Sequence, residues 1–339
     1  MQSAVDWLAG LSPWPTDGFG TGRMLELLDR LGHPERSFES IHVVGTKGKS
    51  TAARRLAATI DGLAYTSPHV SGWHERLQTE PAGFETAVER VRADAEAVGA
   101  TQFETVTAAA FADFQARGAT AVAVEAGLGG RHDATNVIDA RVVLLTNVGL
   151  EHTDVLGPTR EAIAAEKLAV ARPGAVVVMP DDEFAALVAG ADVRIGGAQE
   201  AAAAFLGHPV ELADASLPGR LELRDHEVRD GAHTPEAADW LLDRLPEHDY
   251  VVVASILRDK DADGILERLA RAGDVLVATT SSNERALPAA AVAERGRRTF
   301  ATVAEVDDPG EALDYARGLG RPVLVTGSLY LLADLAERR

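Results

Sequence analysis

Four short apolar runs, each closed by Gly or Pro and each separated from the next by helix-patterned sequence, constrain this chain more than any single motif does. "SIHVVGT", "ATAVAVEAG", "ARVVLLTNVG" and "GAVVVMP" read as strands buried on both faces. "KSTAARRLAATIDG", "ETAVERVRADAEAVG", "TVTAAAFADFQARG" and "TREAIAAEKLAVA" carry apolar residues at three- and four-residue spacing, the helical period. Strands alternating with helices predict an α/β fold, a mostly parallel sheet with helices on both faces.

The pattern fades in "GGAQEAAAAFLGHPVELADASLPGR", whose Ala run at 201–204 reads as helix, and a new alternation follows from "HEVRDGA" to "YLLADLAERR". The expected organisation is therefore a larger domain over 1–214 and a smaller α/β, Rossmann-like domain over 215–339. Two domains suit a chain of 339 residues at about 100–200 residues each. No repeat of fixed period is visible.

Composition narrows the function classes. A formal net charge of −19 argues against sequence-independent nucleic-acid binding, which needs a cationic face. The absence of cysteine excludes disulfides, thiolate metal sites and cysteine nucleophiles. No apolar run approaches the roughly 18 residues of a membrane span, and the first residues lack a signal peptide's basic region and apolar core. No membrane partner and a cytoplasmic location are expected. The chain uses only four lysines, at 47, 49, 167 and 260, against 29 arginines. A lysine kept in such a chain marks a place where Arg cannot substitute, such as a point charge on a phosphate or an amine that must lose its proton.

Two of those lysines stand in "HVVGTKGKST". Gly45-Thr46-Lys47-Gly48-Lys49-Ser50-Thr51 lies between a strand and a helix, where backbone N–H groups and the helix dipole favour an anion. Its spacing is two residues shorter than G-x-x-x-x-G-K-[ST]. Lys49 would neutralise phosphate oxygens, and the hydroxyl of Ser50 or Thr51 would ligate Mg²⁺. A plain glycine turn is the alternative. Glu125 closes an apolar strand, and His152 and Asp154 follow the next one, at the strand ends where open α/β sheets bind ligands. Taken alone these are solvated or capping residues; beside a nucleotide loop they become candidate Mg²⁺ ligands or phosphate partners. Lys167, in "TREAIAAEKLAVA", is a solvated charge or a functional amine. In the second domain "RDGAHTPEAA" places Asp230 and His233 between a strand and a helix, and "LPGRLE" offers Arg220, a cation suited to a phosphate loop across an interdomain cleft.

With these residues in view, the chain resembles the folylpolyglutamate synthase and dihydrofolate synthase family of Mur-type ligases. The resemblance runs through "RMLELLDRLGHPERSFESIHVVGTKGKST", "YTSPHVSGWHER", "VEAGLGGRHDATNVI", "TNVGLEHTDVLGPTREAIAAEK", "PGRLE", "DGAHTPEAA" and "TGSLYLLADL", in the family's order. It implies an N-terminal Mur-type domain and an ATP-dependent ligase that joins L-glutamate to a folate-type acceptor, dihydropteroate or tetrahydrofolate, through an acyl phosphate. It implies catalytic roles for Lys49, Lys167 and His152, and ATP binding by residues 45–51 with Arg220, Asp230 and His233. It also implies Mg²⁺ held by Ser50, Ser67, Glu125, His152 and Lys167 as a carbamate, in an enzyme that needs no partner subunit.

The chain departs from the family in lacking the glycine after Lys49, in carrying Thr234 where Asn is usual, and in shorter segments at 71–84 and 167–218. A Mur-like ligase for another carboxylate acceptor and a non-catalytic nucleotide-binding protein are the competing readings. A muramyl peptide ligase would carry a nucleotide-sugar domain ahead of its loop, and 44 residues precede Gly45.

Overall fold

The apolar runs form the strands expected of them. In a computed structural model that describes residues 3–15, 18–215 and 217–336, the chain splits into two compact units, 1–215 and 216–339. The strands of the first are Glu39–Val44 (β1), Leu63–Tyr65 (β2), Ala121–Glu125 (β3), Val142–Leu145 (β4), Val176–Met179 (β5) and Asp192–Ile195 (β6). They pair in the order β2-β3-β1-β4-β5-β6, every pair parallel. β2 and β6 were not legible in the sequence. The first is three residues long, and the second carries Asp192 and Arg194 at a sheet edge where burial does not demand an apolar run.

Period-two alternation sorts the strand residues onto two faces. Ile41, Val43, Ala123, Val142 and Leu144 pack with Ala53, Leu56 and Ala57 of the helix Lys49–Thr59 and with Ala201 and Ala202 of Ala198–Leu206, the helix expected from the Ala run. Val44, Val122, Val124, Val143 and Leu145 face the other way, toward the helices Pro81–Val98 and Gln102–Ala116. Each fully buried Val, Leu or Phe contributes roughly 1.5–3 kcal/mol. Helix 102–116 starts where it does because Thr101 and Glu104 form a reciprocal capping box.

The second unit contains Glu222–Arg224 (β7), Glu227–Arg229 (β8), Val251–Ala254 (β9), Val275–Ala278 (β10), Thr302–Glu305 (β11) and Val323–Thr326 (β12), ordered β11-β10-β9-β12-β8-β7. All pairs are parallel except the β7–β8 hairpin, whose turn at Asp225 and His226 carries none of the Gly signals that would have announced it. Strand order reverses between β9 and β12. Among the described residues, no helix is long and apolar enough to cross a membrane.

Candidate active site

Register assembles the site. Val43 lies opposite Glu125 and Val44 opposite Leu145, so parallel pairing delivers the loop after β1, the acid that ends β3 and the turn after β4 to one sheet edge. Gly45 has φ 145°, and a Cβ there would sit 2.0 Å from Thr146 Oγ1, so only glycine lets the two loops approach this closely. The backbone N–H of Lys47 donates to Asn147 Oδ1 (2.9 Å), while its carbonyl accepts from Asn147 Nδ2 (3.0 Å) and Thr146 Oγ1 (2.7 Å). Thr46 Oγ1 accepts from the Gly149 N–H at 3.0 Å. The loop is thus held rigid by residues about 100 positions away. Thr146 and Asn147 escaped the sequence reading; their signal was two polar residues directly after an apolar strand.

Lys49 opens the helix 49–59, and its Nζ curls back to the Gly45 carbonyl at 2.9 Å. Lys167 Nζ donates to that same oxygen at 3.0 Å and pairs with Glu151 Oε1 at 2.7 Å. Lys167 is only 2% exposed, which removes the solvated-charge reading. Burial pulls its pKa down, Glu151 opposes that shift and Lys49 adds to it. Two ammonium groups on one carbonyl oxygen repel each other and leave a strongly positive loop that an anion would relieve. Lys167 gets this close because the 127–136 loop lies flat on its helix. A Cβ on Gly130 would stand 2.6 Å from the Lys167 carbonyl oxygen. Glu166, its neighbour, is turned outward into an ion pair with Arg131 (2.8 Å).

Glu125 is 2% exposed. Ser50 Oγ donates to its Oε1 (3.0 Å) and the Ser67 N–H donates to its Oε2 (2.9 Å). This brings together three of the residues implied as metal ligands, from positions 50, 67 and 125. His152 is not joined to them: it is exposed, in the left-handed region at φ 46°, and caps the short helix Thr153–Leu156 without a side-chain hydrogen bond. Lys167 touches none of the three, and its partners suit an ammonium, not a carbamate. Among the described residues no three His, Cys, Asp or Glu side chains converge. Mg²⁺ does not require that: it is commonly held by one or two carboxylates, with water and substrate phosphates completing an octahedron of oxygens. A carboxylate and a hydroxyl already within hydrogen-bond distance fit such an ion. Thr51, in the same helical turn, makes no side-chain hydrogen bond among the described residues.

Behind the site, a buried relay fixes the 127–136 loop. Asp133 accepts from the Leu128 N–H (2.8 Å) and from Thr135 Oγ1 (2.5 Å), and Thr135 Oγ1 accepts from His42 Nε2 (2.9 Å). His42 is fully buried and its Nδ1 has no partner. Burial, aided by Arg172, lowers its pKa to about 3, and burial raises that of Asp133. Because the unfolded chain's imidazole takes a proton near pH 6.5 and the folded one does not, the unfolded state binds more protons below that pH. His42 therefore stabilises the fold above pH 6.5 and loses that contribution as pH falls. Between pH 6.5 and 5 the loss is about 2 kcal/mol. Urea unfolding of wild type and His42→Gln across that range should show the extra slope only in the wild type; parallel curves would place the titration elsewhere.

In the second unit, Asp230 follows β8 and is buried. Its Oδ2 accepts from the Leu221 N–H (2.7 Å) and its Oδ1 from the Ala232 N–H (2.8 Å); burial raises its pKa. The carboxylate staples the 219–221 and 230–232 turns to each other. His233 Nδ1 bonds the Gly231 carbonyl (2.7 Å), and the Arg220 guanidinium lies against Gly231, 3.1 Å from where a Cβ would stand. Arg220, Asp230 and His233 thus meet at one strand end, with Asp230 engaged by main chain.

The Mur ligase middle domain profile matches residues 43–205, and that of the Mur ligase, glutamate ligase domain matches 219–329. The dihydrofolate synthase/folylpolyglutamate synthase of Mycobacterium tuberculosis is 30% identical over 88% of this chain and 82% of its own. Among solved structures, Escherichia coli FolC in complex with DHPP and ADP superposes with a TM-score of 0.82 at 26% identity, covering 99% of this chain and 97% of that one. The bifunctional folylpolyglutamate synthase/dihydrofolate synthase of Yersinia pestis, complexed with AMPPNP and Mn ion, gives 0.82 at 26% identity over 98% and 97%. With both ligase domains present in order and the likeness sustained along nearly the whole length, the chain belongs to the dihydrofolate synthase/folylpolyglutamate synthase family of Mur-type ligases.

Proposed function

We propose that the protein is an ATP-dependent ligase that adds L-glutamate to dihydropteroate or tetrahydrofolate, with Mg²⁺ as its metal. The observation that carries the reading is the curl of Lys49 over the loop onto the Gly45 carbonyl, beside the Ser50–Glu125 pair. In the first step an acceptor carboxylate oxygen attacks the γ-phosphorus of ATP, the bond to the β-phosphate bridge breaks, and ADP leaves. In the second, the glutamate amine attacks the acyl carbon, inorganic phosphate departs, and the amine gives up a proton. Negative charge accumulates on phosphate oxygens in the first step, so preplaced cations and N–H donors lower its barrier.

Residues 45–51 supply those donors in this reading: the backbone of Gly45, Thr46, Lys47 and Gly48 cradles the phosphates, and Lys49 moves from the Gly45 carbonyl onto them. Ser50, Ser67 and Glu125 would hold the metal, joined by His152 and a carbamylated Lys167, and the ion would supply positive charge to offset that of the phosphates. Arg220, Asp230 and His233 are the second unit's nucleotide contacts, Asp230 by shaping the turn that presents the other two. ADP formation with dihydropteroate and with tetrahydrofolate, each with and without glutamate, tests the reading. Release that requires both an acceptor and glutamate supports it; release only with a non-pterin carboxylate would overturn the folate assignment and keep the ligase.

Lys167→Ala should abolish ADP release and recover part of it when acetate or another short carboxylate is added, because the added anion replaces the carbamate. An unaffected variant would remove Lys167 from the chemistry; a loss that no carboxylate rescues would leave it an ammonium.

A further inference from the structure

The amine of Lys167 is placed by main chain that its own helix does not fix. Helix Arg160–Leu168 ends one residue after Lys167, so the carbonyls of its last turn have no partner within the helix. The Glu166 carbonyl accepts instead from the Arg131 N–H at 3.0 Å, and the Glu166 carboxylate pairs with the Arg131 guanidinium at 2.8 Å. Gly130 lies against the same turn: a Cβ there would stand 2.6 Å from the Lys167 carbonyl oxygen and 2.7 Å from that of Glu166. Residues 130 and 131 are thus the seat on which the end of the helix rests.

A side-chain circuit outside the chemistry described so far fixes that seat. The Asp133 carboxylate holds Leu128 and Thr135, on either side of it. Asn136 reaches the seat itself, its Nδ2 donating to the Arg131 carbonyl at 2.8 Å. Arg172 grips Asn136 in turn: its Nη2 donates to Asn136 Oδ1 (2.9 Å) and to the Asn136 main-chain carbonyl (3.0 Å). Arg172 follows the helix end by only four residues, so the path from Glu166 through Arg131 and Asn136 to Arg172 returns to the segment it left. A polar network whose members are all satisfied rigidifies what it encloses. This one encloses the turn that carries Lys167, and so sets Nζ at 3.0 Å from the Gly45 carbonyl and 2.7 Å from Glu151. Asparagine suits the place because its amide donates to one partner and accepts from the other, whereas an ionised aspartate has no donor.

We propose that Asn136, anchored by Arg172, is a positioning residue of the reaction, acting through Gly130 and Arg131 to hold the Lys167 amine at the loop. The reaction it serves is that of the ligase reading; the placement of Lys167 does not depend on that reading.

The chain has four lysines, so reductive methylation with formaldehyde and dimethylamine-borane, read at each lysine by peptide mass spectrometry, reports Lys167 against three internal controls. Lys167, 2% exposed, should label slowest in the wild type. In Asn136→Ala and in Asn136→Asp its labelling should rise about 10-fold, the local loosening expected from one lost hydrogen bond, while Lys47, Lys49 and Lys260 keep their rates. In steady-state ADP release both variants should lose about 10- to 100-fold in kcat, the cost of misplacing a group by about 1 Å, with the KM for ATP and for the acceptor near wild type. Unchanged Lys167 labelling overturns the proposal. A rise shared by all four lysines overturns it as well, because Asn136 would then hold the fold as a whole. So does a KM for ATP that rises as kcat falls, since the phosphate loop and not the amine would have moved, and a selective rise with kcat unmoved removes the role in the reaction. If the wild type releases no ADP with either acceptor, the ligase reading fails by itself, and the labelling alone decides whether Asn136 places Lys167.

Discussion

Lys49→Met should lower the turnover of ADP release about 100- to 1,000-fold, the cost of removing one preorganised charge from a transition state that develops negative oxygens. The side chain is only partly buried and its partners are the Gly45 and Thr46 carbonyls, so methionine leaves the loop held by Thr146, Asn147 and Gly149. Thermal stability should therefore change little while turnover falls. Arg is not a remedy: its broader, planar head does not reproduce a compact ammonium that curls back onto the Gly45 carbonyl. A Lys49→Met enzyme within a few-fold of wild type would mean that the phosphates lie elsewhere.

Glu227→Ala should destabilise the second unit by about 3–5 kcal/mol, the usual cost of breaking a buried ion pair from one side. Glu227 is 4% exposed and bridges two cations: Arg229 through Oε1 (2.5 Å) and Arg317 through Oε2 (2.7 and 2.9 Å). Arg229, 1% exposed, also donates to the Leu335 carbonyl (2.6 Å), so the cluster ties β8 to the end of the last described helix. Alanine at 227 would remove the carboxylate that answers the buried Arg229 charge. Calorimetry should show one transition lowered by roughly 10 °C or more and the other unmoved. Replacing Glu227 and Arg229 together by apolar residues should restore much of the loss, since the damage comes from a buried charge that has lost its carboxylate. A Glu227→Ala transition within about a degree of wild type would mean that water reaches Arg229.

The fold was legible where burial on both faces forces a strand to be apolar. β1, β3, β4 and β5 and the helices around them were readable on that ground. The edge strands β2, β6 and β7 were not, because one free side relaxes the pattern. The site was legible as chemistry without partners. Lys49, Ser50, Glu125, His152 and Lys167 could be picked out by residue type and by position at strand ends, yet nothing in their spacing tells that Lys167 shares an oxygen with Lys49 while His152 stands apart. Asn147 and Glu151 gave no signal beyond being polar residues that follow an apolar strand.

The sequence by itself determined the kind of protein this is: alternating elements that must form two parallel-sheet units, and a glycine-lysine loop with its ordered companions. The tertiary structure decided which atoms meet. Ser50 and Glu125 are 75 residues apart and Gly45 and Lys167 are 122 apart. Both pairs exist because parallel pairing needs a long crossover between neighbouring strands, so the ends that share one edge of the sheet come from distant parts of the chain. Strand order and register are collective outcomes of packing, and local pattern carries no record of them.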